Sequence, residues 1–68
     1  MNYNEWSQEY MESADRIKVI INSLNAQHRR VPKPRQKVLE DKLRMYRSVY
    51  RDCLDIARTL RERGGEAA

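Results

Sequence analysis

Apolar residues return at alternating intervals of four and three along nearly the whole chain, and the pattern breaks once, around Pro32 and Pro34. With about 3.6 residues per helical turn, such spacing places the apolar positions on one stripe, the seam of a packed helix. The first stripe reads Tyr3, Tyr10, Ala14, Ile17, Ile21 and Leu24, with His28 next in register, and the second reads Leu39, Leu43, Tyr46, Tyr50, Cys53, Ala57 and Leu60. Between them, the two prolines lack an amide hydrogen and push Val31 and Lys33 toward extended backbone. The spacing therefore predicts a helix over about 4–28, a connection over about 29–33 and a second helix over about 34–63, with Pro34 at a first helical position. Asn2 or Asn4 is suited to cap the first helix, and Gly64-Gly65 reads as a left-handed cap that ends the second, leaving 64–68 as a frayed tail.

A short connection makes consecutive helices antiparallel neighbours, so seam residues should meet where their position numbers sum to roughly 63 to 65. On that rule Leu24 meets Leu39, Ile21 meets Leu43, Ile17 meets Tyr46, Ala14 meets Tyr50, Tyr10 meets Cys53 and Trp6 meets Ala57. Large residues oppose small ones at three successive levels near the open end, which lets layers interdigitate. The expected fold class is all-α, an antiparallel two-helix hairpin of one domain. At 68 residues, a hairpin with a single seam buries little apolar surface against the entropy of ordering the chain. A second apolar strip, formed by Trp6 and Ile20 on the first helix and Val49 and Ile56 on the second, lies on one flank of the seam and calls for a partner. Two hairpins that bury it against each other give a homodimeric four-helix bundle.

Charge is divided between the two halves. Residues 1–28 hold four acids against Arg16 and Lys18, while residues 29–63 hold twelve Lys and Arg against five acids. Part of the overall basic excess is thus an attraction between the helices rather than a sign of an outside partner. The connection concentrates Arg29, Arg30, Lys33, Arg35 and Lys37, a set able to attract phosphates, although Arg29 and Arg30 also suit the negative end of the first helix. Lys37, Arg44, Arg51 and Arg58 recur every seven residues as a ridge on the second helix, with Arg47 and Arg61 nearby. Glu40 is spaced to neutralise Arg44, Asp55 to neutralise Arg51 and Arg58, and Glu62 to neutralise Arg58, which makes an ordinary solvated face the simpler reading.

The residues argue against an enzyme. Cys53 falls on the seam as a small buried group, away from the exposed, electropositive setting that thiol chemistry needs. One cysteine and one histidine supply too few ligands for a metal centre, and Glu40, Asp41, Asp52 and Asp55 face no cavity that two helices can form. No cofactor is expected. The longest apolar run, Val19-Ile20-Ile21, is far below a membrane span, and the acidic first twenty residues do not read as a signal peptide, so a cytoplasmic setting is expected.

Glu9-Tyr10 opening a polar-faced helix, a proline-bearing turn, Met45-Tyr46 and a close at Leu60-Arg61 resemble short, uncharacterised helical-hairpin proteins of phages and conjugative elements of Gram-positive bacteria. Tyr46-Arg47-Ser48 and the architecture are also similar to the plasmid copy-control hairpins that bind RNA loop pairs as four-helix dimers. Those carry a phenylalanine on the RNA-facing surface, whereas this chain has none, so no functional residue is carried over. The expected function is a self-associating helical interaction or accessory module, with a protein partner possible. The alternative is a nucleic-acid-binding accessory that uses the connection.

Overall fold

In the computed structural model, which describes residues 2–66, two helices form one antiparallel hairpin: α1, Tyr3–His28, and α2, Lys33–Glu66. Among the described residues there is no strand. Asn2 caps α1 from extended backbone, its Oδ1 accepting from the amides of Asn4 (3.0 Å) and Glu5 (3.4 Å). That satisfies donors the first turn would otherwise leave unpaired, and Glu5 adds negative charge at the positive end of the helix. At the far end, the amides of Arg30 (2.9 Å) and Val31 (3.2 Å) both donate to the Gln27 carbonyl, turning the chain out of α1. The Pro32 carbonyl then accepts from Arg35 (2.9 Å) and Gln36 (3.2 Å) to start α2. Pro34 is thus the second rather than the first helical residue, still within the turn where a missing N–H costs nothing. Gln36 closes the tip: its Nε2 donates to the carbonyls of His28 (3.2 Å) and Val31 (3.3 Å), linking the end of α1 to the connection.

The seam of α2 runs as the spacing predicts, through Leu43, Cys53, Ala57 and Leu60, all buried, with Leu39, Tyr46 and Tyr50 partly covered. On α1 the buried positions are Ser7, Ala14 and Leu24. Only small side chains, Ser7, Ala14 and Ala57, fall to 2% exposure or less, so the core is one thin layer. The resulting rod measures 53 × 14 × 13 Å, with a radius of gyration of 15.7 Å. A globular chain of this length would have about 11 Å.

Two expectations are corrected. The first is the end of α2, which does not stop at residue 63: Gly64 and Gly65 continue the helix, and neither has a positive φ. Gly64 occupies the next seam position after Leu60, where a side-chain carbon would lie 2.8 Å from Asn4 Oδ1 and 3.5 Å from Tyr3 Cβ. The missing Cβ thus admits the start of α1 and does not serve a left-handed cap. The part of the expected frayed tail at Ala67 and Ala68 lies outside the described residues. The second correction concerns the open end of α1. Ser7, not Trp6, meets Ala57, its hydroxyl donating to the Ala57 carbonyl at 2.9 Å. Tyr10 is also 37% exposed, and does not seal the seam beside Cys53.

Candidate interaction surfaces

The two flanks of the seam differ in chemistry. On the first, Trp6, Ile20, Val49 and Ile56 are each between 37% and 41% exposed, large apolar groups left half in solvent. Trp6 packs edge-on against Tyr3, with ring centroids 6.2 Å apart and planes at 74°, which fixes its direction. Together with Glu9, Tyr10, Ser13, Ile56 and Leu60 it lines an open groove of about 330 Å³ near the open end of the hairpin. A second groove, about 220 Å³, lies at the tip and is lined by Gln27, Val31, Arg35, Val38 and Leu39. Met45 and Val38, 53% and 57% exposed, continue the apolar strip along the outer side of α2. Ile20 and Val49 fall between the two grooves along the helix axes. Tyr10 is the residue the seam reading misplaced: it belongs to this flank. The signal that would have placed it is Ser7, a small residue one heptad before Ala14 that can face Ala57 closely.

The second flank is polar. Arg47 donates to Asn25 Oδ1 across the helices at 3.4 Å, and Met11 and Leu54 supply the apolar part of a shallow groove whose rim is Arg58, Arg61 and Glu62. Arg58 therefore belongs to this side, and with it the ridge of Lys37, Arg44 and Arg51, which repeats its position at seven-residue intervals. The carboxylates expected to neutralise that ridge are not in contact with it. Glu40 turns to α1 and hydrogen-bonds His28, Oε1 to Nε2 3.0 Å, and among the described residues no Lys or Arg lies within 4.0 Å of a carboxylate. The ridge cations are all exposed.

The connection does not gather its five cations onto one surface. Arg29 and Arg30 lie at the end of α1 and in the turn, and Lys33 opens α2, whereas Arg35 lines the apolar tip groove. Lys37, two residues further, stands about 200° around the helix at 100° per residue and starts the ridge on the opposite flank. Lys33, Arg35 and Lys37 also occupy the opening turns of a helix that has no acid in its first turn, where the helix dipole disfavours cations.

Among the described residues, no group of three or more His, Cys, Asp and Glu is placed to hold a metal ion, and no helix is long and apolar enough to cross a membrane. Comparison of the chain with family models, curated proteins and solved structures finds no match.

Proposed function

We propose that this hairpin is a self-associating interaction module whose functional unit is a pair of copies packed along the apolar flank, giving a four-helix bundle. The observation that carries the reading is the contrast between the flanks: one bears Trp6, Tyr10, Ile20, Val49 and Ile56, each 37% to 41% exposed, and the other bears an Asn25–Arg47 hydrogen bond and a rim of arginines. A thin single-layer core gains most from covering such a strip.

A second copy suits the flank because its two ends are complementary. The open end presents aromatic groups and Glu9 around its groove, and the tip presents Val31, Val38 and Arg35 around the other. A two-fold axis crossing the flank between Ile20 and Val49 sets the open end of each copy against the tip of its partner. Trp6 and Tyr10 then cover the valines, Glu9 faces Arg35, and Ile20 meets Val49. Sedimentation equilibrium tests this: the wild type should be a dimer at micromolar concentration, and Ile20→Glu or Ile56→Glu should each shift it toward monomer by placing a carboxylate without a partner in the interface. A wild-type monomer throughout that range, or unchanged association in both variants, would overturn it.

A further inference from the structure

The ridge on the polar flank lies outside the surface proposed for self-association, and among the described residues no carboxylate lies within 4.0 Å of any of its cations. We infer that Lys37, Arg44, Arg51 and Arg58, flanked by Arg47 and Arg61, form a binding surface for the phosphate backbone of a nucleic-acid duplex. Three observations carry this. The ridge is about 32 Å long at ~1.5 Å per residue, close to one turn of a duplex at ~34 Å, and winds only about 60° around the helix over that length. Glu40 turns to His28, and although Glu62 shares a groove rim with Arg58 and Arg61, among the described residues no carboxylate comes within 4.0 Å of a ridge cation. Most of the ridge is arginine, whose planar fork matches phosphate oxygens.

The surroundings of the ridge narrow the class of ligand. Binding single strands relies on aromatic platforms for unstacked bases, but Trp6 and Tyr10 line the groove on the other flank, and Tyr46 and Tyr50 are partly covered in the seam. An anionic membrane surface would call for exposed apolar side chains that insert beside the cations, but Met11 and Leu54 beside the ridge are half-buried in a groove, and Trp6, Val49 and Ile56 lie on the opposite flank. What is left is backbone recognition, sequence-tolerant and driven by counterion release. This site differs from the connection: Arg29, Arg30 and Lys33 are at the tip, and only Lys37 is common to both. Because the ridge is turned away from the apolar flank, the inference holds for one copy or two.

The test uses the full chain and fluorescently labelled 30-base-pair DNA and RNA duplexes, their single strands, and vesicles of phosphatidylserine and phosphatidylcholine, each at two salt concentrations. The wild type should bind both duplexes at low salt, with affinity falling steeply as salt rises. Arg44→Gln/Arg51→Gln/Arg58→Gln should weaken duplex binding at least tenfold and lower the log-log salt slope by about 2.7, at ~0.9 per phosphate contact on B-DNA. Arg29→Gln/Arg30→Gln/Lys33→Gln removes the same charge from the tip and should keep most of the affinity. Arg51→Glu alone, at the centre of the ridge, gives an independent reading and should also lose at least tenfold. Circular dichroism should show both triple variants folded, since every residue changed is exposed. The inference is overturned by absence of duplex binding at low salt, by equal losses in the two triple variants, which would mean a net-charge effect, or by tighter binding to single strands or vesicles than to duplex.

Discussion

Ser7 is the residue whose role departs furthest from its type. A serine in a heptad seam reads as a defect, yet at 2% exposure it faces Ala57 at 1%, and its hydroxyl donates to the Ala57 carbonyl. That carbonyl keeps a second lone pair for its own helix, so the bond completes a close small-to-small layer. Replacing Ser7 by leucine, which would perfect the apolar repeat, should therefore destabilise the fold by about 1–3 kcal/mol through overpacking, measurable as a lower urea midpoint, whereas Ser7→Ala should cost ~1 kcal/mol or less. Cys53 is the opposite case, a residue buried where its position predicts. Its thiol is buried in the seam, so an aromatic disulfide reagent should react slowly in native buffer and quickly in denaturant, and Cys53→Ala should cost only about 1 kcal/mol. Immediate native reaction would mean that the α2 seam opens readily around position 53.

The two helices were unequally legible in the sequence, for a physical reason. In α2 every seam position from Leu39 to Leu60 is apolar and the neighbouring positions are mostly charged, so the seam stands out from the sparser strip through Val38, Met45, Val49 and Ile56. In α1, Trp6 and Tyr10 compete with Ser7 and Met11 for the seam near the open end, and size favours the aromatics. The structure resolves the competition by sterics: α2 offers Ala57 and Gly64 there, and small residues let backbones approach where an indole would not fit. Of the four residues read as an apolar flank, all are 37% to 41% exposed and Trp6 and Ile56 line one groove, but the dispersal of the connection cations was not legible, because it depends on where α2 begins, and a helix start is fixed by hydrogen bonds rather than by spacing. The glycine pair was misread for a related reason: Gly-Gly is a strong cap signal unless packing continues past it, and here Tyr3 and Asn4 extend the contact to Gly64. Since Gly65 is helical and a Cβ there would meet nothing beyond its own helix within 4 Å, Gly65→Ala should stabilise the protein by a few tenths up to ~1 kcal/mol, with a matching rise in melting temperature. Gly64→Ala should gain less, because Asn4 has to move first.

As a whole, the molecule is a rod with an apolar side and a basic side, and the two proposed activities act on opposite sides of it. In a two-fold pair joined through the apolar flanks, the arginine ridges look outward in opposing directions, so one pair would hold two duplexes apart rather than grip one between them. The orientation of the pair has its own test. In a Cys53→Ala background, Met45→Cys lies near the proposed axis and should cross-link to its counterpart on mild oxidation, while Ile56→Cys should not; cross-linking of Ile56→Cys would indicate a parallel pair. The four-residue turn that Gln36 fastens has a further consequence, for the way the chain acquires this shape. Every inter-helix layer is centred on that turn, so once it closes each later layer needs only a modest extra loop, at a cost that grows logarithmically with length. Folding can then run as a zipper from the tip outward, on the fast microsecond-to-millisecond scale of helical chains with local contacts. On the ribosome the order is constrained further: α1 emerges with its stripe uncovered, and the closing of the seam must wait for α2 to follow it out.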